Sequence, residues 1–261
     1  VYMARQISKQ RDYLHDFKEL FWHVLGPLIL VCVLILPNNF STAALVFING
    51  LVLMFVGKIR IKFIAAIIGF AFVGALTIYG TAKFTSLGTK IMPRSATWVS
   101  RIDSFFVDAE GDEQTKDFQQ TQALVAIQNG GMTGVGPGKS TQRNILPYSS
   151  SDFIYAIIIE EYGLFGGVLA LLFYLILMFR AIRIALRVES VFGSLLATGL
   201  MFSLVFQALI NMLVSVEVLP VTGQTLPLIS MGGTSIVFSC IAIGIVLSVS
   251  RDATDRKYEK A

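Results

Sequence analysis

DFIYAIIIEEYGLFGGVLALLFYLILMFR, running from Asp152 to Arg180, decides the fold class of this chain. Apart from Glu160 and Glu161, residues 153–179 are apolar or aromatic. A helix of roughly 20 such residues crosses hydrocarbon about 30 Å thick. Comparable runs lie at 21–36, 40–56, 63–82, 191–216 and 234–249. None shows the polar alternation of barrel strands, so each is expected to be a helix that satisfies its own backbone.

The whole composition agrees with these runs. Of 261 residues 54% are hydrophobic and only 15% charged, and the mean hydropathy is +0.70. A soluble domain carries about a quarter charged residues, and a disordered chain is poorer still in Leu, Ile and Val, so both classes are excluded. The expectation is an all-α polytopic transmembrane bundle forming a single membrane domain over 1–261. Cys32 and Cys240 both sit inside apolar runs and offer neither a disulfide framework nor a zinc pattern.

Charge sets the orientation. Arg5, Lys9, Arg11 and Lys18 precede the first run, Lys58, Arg60 and Lys62 follow the second, and Arg180, Arg183 and Arg187 follow the fourth. Arg251, Arg256, Lys257 and Lys260 close the chain, whereas loops 37–39 and 217–233 carry no Lys or Arg. The positive-inside rule therefore makes both ends of the chain cytoplasmic and turns the long segment 83–151 outward. Val1 to Ala4, without an initiator Met, reads as the end of an earlier span in a longer protein.

The outward segment has several parts. Lys83 to Ser104 is basic and holds Trp98, as an amphipathic stretch at lipid headgroups would. Asp103, Asp108, Glu110, Asp112, Glu113 and Asp117 form an acidic run of the usual solvated kind. A helix is predicted from Phe118, ending at Asn129-Gly130-Gly131. Gly134-Val-Gly-Pro-Gly-Lys-Ser140 lacks the Walker A spacing, because Thr133 stands where the first glycine belongs. Its backbone N–H groups, with Lys139 and Arg143, either cradle an anion such as a lipid diphosphate or form a plain flexible turn.

Three acids enter the fourth span. Asp152 opens it, and Glu160 and Glu161 lie roughly 12–14 Å deeper on a straight helix. An acid at the bilayer centre costs on the order of 3 kcal/mol, so each should face protein or a wet cavity. At about 100° per residue, Glu160 shares the side of Asp152 and Glu161 faces away. The alternative has Asp152 capping the helix and the glutamates snorkelling or pairing with cations. Pro220-Val-Thr-Gly-Gln-Thr-Leu-Pro-Leu-Ile-Ser-Met-Gly-Gly-Thr-Ser235 reads as a re-entrant loop before the last helix. It would line an outward cavity with Thr222, Gln224, Thr225 and Ser230, or simply stitch two helices together.

The run Leu146–Gly163, the Pro220–Ser235 loop, the Phe118-Gln-Gln-Thr-Gln helix and the Asn38-Asn-Phe-Ser-Thr42 turn together resemble the SEDS family of shape, elongation, division and sporulation proteins. The resemblance covers nearly the whole chain and implies ten spans, of which this piece would hold the end of the fourth through the tenth. Thr-Leu-Pro-Leu-Ile-Ser in the last loop looks more like the division branch than the elongation branch. The family implies a peptidoglycan glycosyltransferase joining lipid II at the outer face of the bacterial cytoplasmic membrane. It matches Asp152 to the acid of the family's Thr-Asp-Phe motif, and Gln119, Gln122, Ser140, Glu160, Glu161, Pro227, Ser230, Gly232 and Gly233 also fall on motif positions. Tyr148, Ser150, Thr222 and Met231 depart from the usual Glu, His, Lys and Tyr.

For an inverting transfer, Asp152 is the expected base, with Gln119, Gln122, Lys139, Ser140, Arg143, Glu160, Thr222, Thr225 and Ser230 binding substrate. Leaving-group charge would fall to Arg143, Lys139 or a divalent Mg²⁺ or Mn²⁺ ion; no organic cofactor is expected. The implied partners are lipid II, a class B penicillin-binding transpeptidase, divisome regulators and membrane lipids, and no nucleic acid. Two rival readings remain: a flippase using Glu160, Glu161 and Glu217, and a divisome scaffold.

Overall fold

A computed structural model describes residues 1–10, 16–84, 98–99, 118–146 and 149–259. The acidic run, most of the basic stretch before it, and Tyr148 lie outside the described residues. Within them the chain is helical: α1 (Tyr2–Lys9), α2 (Phe17–Ile35), α3 (Phe40–Val56), α4 (Ile61–Phe84), α5 (Phe118–Gly130), α6 (Ile154–Arg187), α7 (Val191–Ser215) and α8 (Gly233–Glu259). Of these, α2, α4, α6, α7 and α8 are long and apolar enough to span a bilayer, and α3, at 17 residues, falls just short.

Local sequence explains where the helices start, bend and run on. Asn39 caps α3, its Oδ1 accepting from the Thr42 N–H at 3.0 Å, which satisfies one of the orphan donors of the first turn. In α2 a π turn covers Phe21–Leu25, and the Gly26 N–H reaches back to the Phe21 carbonyl. Pro27 follows directly; it has no N–H to give and its ring crowds the preceding turn, so the ladder slips by one residue there. Helix α6 continues to Arg187, eight residues past the predicted end at 179. Its 34 residues would rise about 50 Å if straight, more than the hydrocarbon thickness, so the basic end continues as helix into water.

The molecule divides into two compact units. The first comprises residues 1–100, 181–203 and 245–261 and is packed on Leu20, Val24, Leu28, Leu53, Met54 and Leu195. The second comprises residues 101–180 and 204–244, with a core of Ala123, Ala126, Leu146, Phe153, Ala156, Ile157, Val214 and Val221. Half of the apolar window of α7 is buried, against 11% for α4 and for α8. Helix α7 is therefore a core helix, while the others present Leu, Ile and Phe outward as lipid requires.

Candidate functional site

The predicted catalytic and substrate-binding residues lie in the second unit, where two loops meet the entry to α6. The turn Ser149–Asp152 lies against the 220–235 loop, and three successive carbonyls of that turn are held. The Met231 N–H donates to Ser150 O at 2.8 Å, Ser230 Oγ to Ser151 O at 2.5 Å, and Asn211 Nδ2 to Asp152 O at 2.6 Å. The other proton of Asn211 Nδ2 goes to Gln224 O at 2.7 Å. Ser230 Oγ also accepts from the Leu226 N–H at 2.7 Å, and Tyr174 of α6 donates its hydroxyl to Pro227 O. The irregular backbone is thus satisfied by protein, as non-helical backbone in a membrane protein must be.

The Asp152 backbone is fixed and its side chain is not. The carboxylate is half-buried and has no hydrogen-bond or ion-pair partner among the described residues. Its Oδ2 lies 3.9 Å from where a Cβ would sit on Gly223, a residue at φ +66 in the 220–235 loop. Asp152 makes no cap bond to α6, so the capping alternative falls away.

Glu160, eight residues on, has the opposite environment. Only 1% exposed, it accepts from Ser140 Oγ, from Thr141 Oγ1 at 3.0 Å, and from the N–H groups of Thr141 at 3.3 Å and Gln142 at 3.3 Å. A buried carboxylate is tolerable only when its lone pairs are met in this way. The expectation that Glu160 shares the cavity of Asp152 is therefore corrected. Glu160 closes the turn after the glycine-rich stretch, and Ser140 serves the same turn.

The glycine-rich stretch is itself a backbone splice. At Gly163 (φ +71, ψ −172) helix α6 is broken, and the Glu160 and Glu161 carbonyls lose their partners four residues on. Val135 N–H takes the first at 2.9 Å and Gly136 N–H the second at 3.0 Å, while Leu164 N–H donates to Gly131 O at 2.9 Å. The approach is so close that a Cβ on Gly134 would lie 2.2 Å from Glu161 O, and one on Gly163 2.3 Å from Met132 O. The N–H groups of residues 134–136, 139 and 141–143 are donated within the protein. They form no anion cradle; Gly134 is there for close contact, while Gly136 (φ +107) and Gly138 (φ +73) supply the left-handed backbone of the turn.

A cavity of about 180 Å³ is lined by Arg143, Ser149, Ser150, Ile154, Ile157, Ile158 and Glu161. Residues 154, 157, 158 and 161 form one face of a helix, so the wall is apolar with a carboxylate at its inner end. Neither Arg143 nor Glu161 has a side-chain partner among the described residues. The cavity thus offers one cation, two hydroxyl residues and one acid, on a greasy wall. Glu161 lines this cavity and Asp152 does not, and the helix geometry had turned Glu161 away from Asp152.

The remaining predicted residues divide by whether they are free. Thr222 is half-exposed beside Gly223 with no side-chain partner among the described residues, Gln119 and Gln122 are half-buried on α5, and Lys139 is exposed, its chain folded over Gly136. Thr225 is engaged: Gln207 Nε2 donates to its carbonyl at 3.1 Å, and its Oγ1 lies 3.4 Å from Ser235 Oγ. Ser230, like Glu160 and Ser140, spends its hydrogen-bonding capacity on the fold. Sequence reasoning missed Asn211 and Gln207, although amides four residues apart in an apolar run demand partners. No three of His, Cys, Asp and Glu converge among the described residues. The donor set does not build a protein-held divalent site, and no step is assigned to a metal.

Similarities to known proteins bear on this geometry. A profile covering FtsW, RodA and SpoVE, described as a cell cycle protein, matches residues 1–255. Stage V sporulation protein E of Bacillus subtilis (strain 168) is 33% identical over 252 residues, covering 96% of this chain and 65% of that protein. A "Probable peptidoglycan glycosyltransferase FtsW" of Methylococcus capsulatus (strain ATCC 33009 / NCIMB 11132 / Bath) is 32% identical over 258 residues, covering 97% and 61%. Among solved structures, a chain described under structural coordination of polymerization and crosslinking by a peptidoglycan synthase complex superposes with a TM-score of 0.68 at 22% identity, covering 96% of this chain and 68% of that one. The chain thus spans less than two thirds of the length of these curated relatives, and the structural likeness establishes the fold.

Proposed function

The chain belongs to the FtsW/RodA/SpoVE family of multi-pass membrane proteins, and from that footing we propose that it is part of a peptidoglycan glycosyltransferase that polymerises lipid II. The observation that carries the reading is the environment of Asp152: a half-buried carboxylate, unpaired among the described residues, on a backbone held by three hydrogen bonds. Joining a β-1,4 link to an α-linked lipid diphosphate inverts the anomeric carbon. One group must take the proton of the acceptor 4-hydroxyl as its oxygen bonds that carbon, and the bond to the diphosphate breaks on the opposite face. Asp152 is that base, since a fixed, unpaired carboxylate can meet a hydroxyl at hydrogen-bond range.

The cavity beside it supports the binding half of the reading. Ser149 and Ser150 line it and directly precede Asp152 in the chain, so the cavity and the base share one turn. Arg143 faces it and can meet diphosphate charge, and the Ile154, Ile157 and Ile158 wall suits the isoprenoid end of a lipid-linked sugar. The base would face the outer side of the cytoplasmic membrane, as the distribution of Lys and Arg implies. A role in division, with a class B penicillin-binding transpeptidase and divisome regulators as partners, belongs to the same proposal; relatives named for sporulation and for FtsW match almost equally well.

Transport of the lipid-linked precursor fits less well, because Glu160, one of the three acids of the path it would need, is consumed by the 140–142 turn. Purified protein incubated in detergent with lipid II decides the matter. Glycan strands are expected from the wild type and none from Asp152→Asn. Strands of normal length from that variant would remove Asp152 from the chemistry.

A further inference from the structure

Asn211 is 1% exposed on the core helix α7, and its amide nitrogen is shared between two carbonyls, Asp152 O at 2.6 Å and Gln224 O at 2.7 Å. Its orientation is forced: turned over, the amide would set an oxygen against two carbonyl oxygens. Its own Oδ1 is buried without a partner, so a well-satisfied core amide is not what the site provides. One side chain thereby fastens the residue bearing the free carboxylate to the loop whose Gly223 faces that carboxylate. Of the three carbonyl bonds described above, it is the one made to Asp152 itself and the one that comes from a helix rather than from the loop.

We propose that Asn211 is a positioning residue for glycosyl transfer, setting the place of the Asp152 carboxylate relative to the 220–235 loop without touching substrate. The proposal rests on the reading of Asp152 as the base. Displacing a catalytic group by about 1 Å costs up to roughly a hundredfold in rate, while substrate affinity is set by other contacts. Asn211→Leu removes both donors at similar volume, and Asn211→Asp puts an oxygen where the two-proton donor stood.

The test measures kcat and KM for lipid II polymerisation by the purified protein carrying Asn211→Leu, Asn211→Asp or, in parallel, Asp152→Asn. Each Asn211 variant is also combined with Ser150→Cys and Met231→Cys, whose backbones meet, so that disulfide yield reports whether the loop is still seated. Both Asn211 variants are expected to lose about tenfold to a hundredfold in kcat, with KM within about threefold of wild type and crosslinking retained. Wild-type kcat in either variant, with Asp152→Asn inactive, overturns the role of Asn211 and leaves the base in place. Loss of crosslinking in step with rate also overturns it, making Asn211 a general stabiliser of the seam. Activity in Asp152→Asn removes the base and the positioning role together.

Discussion

Asp152 and Glu160 stand eight residues apart at the start of the same helix, and their surroundings are opposite. Glu160 is sealed in, and its oxygens are taken by two hydroxyls and two backbone N–H groups. The turn that carries Asp152 has three successive carbonyls held by hydrogen bonds, the last of them Asp152's own, while its carboxylate is left without a partner among the described residues. The fold spends one acid on stability and withholds the other from it, and an acid withheld from structure is the one available for chemistry. Hydropathy and charge alone would rank the two equally.

This contrast is sharpest under substitution. Replacing Asp152 by Asn keeps the shape and removes the base, and general-base catalysis is worth about 10²–10⁴-fold, so turnover should fall by that much. Its melting temperature in detergent should stay at the wild-type value, because no partner is lost. Glu160→Ala should do the reverse. It strands the Ser140 and Thr141 hydroxyls and two N–H groups in a dry setting, at a cost of about 3 kcal/mol measured by thermal or denaturant unfolding. The molecules that remain folded should turn over with a kcat within a few-fold of wild type. Equal stability losses in the two variants would dissolve the distinction.

Much of this architecture was legible in the sequence. Helix α3 occupies 40–56, as its apolar run predicts, and α5, described from Phe118, ends at Gly130, where the glycine pair stops it. Local signals suffice there because each element is decided by its own composition. The choice between Glu160 and Glu161 was not legible, since their directions depend on the break at Gly163 and on a loop about 18 to 25 residues away. The glycine-rich stretch misled for the same reason: a glycine kept for close backbone contact and a glycine kept for an anion nest look alike in sequence. Asn211 carried a usable signal, an amide in a lipid-compatible run, but nothing named its partners.

The splice offers a milder way to probe the same boundary between structure and chemistry. Gly163→Ala meets Met132 O at 2.3 Å and a left-handed φ at once. Overpacking of that kind costs about 1–3 kcal/mol, which should appear as a lowered unfolding midpoint. Because the Ser150–Asp152 turn is held by the 220–235 loop and by Asn211 rather than by the splice, KM for lipid II should change little. A large rise in KM with unchanged stability would mean that the splice belongs to the substrate site after all.

The smallest effects should come from the cavity, and there the sign carries the information. Arg143 and Glu161 line it together without pairing, so a diphosphate entering it is attracted by one and repelled by the other. Arg143→Ala should raise KM for lipid II by roughly tenfold with kcat nearly unchanged, the pattern of a contact made equally in the ground and transition states. Glu161→Gln keeps the shape and removes the repelling charge, so KM should fall by a few-fold. Arg143 is exposed, and both effects should shrink as salt rises from 50 to about 300 mM, where the screening length drops below about 6 Å. Opposite signs place the leaving group in this cavity. A KM that neither substitution moves would separate the cavity from the base and leave Asp152 to work with a diphosphate bound elsewhere.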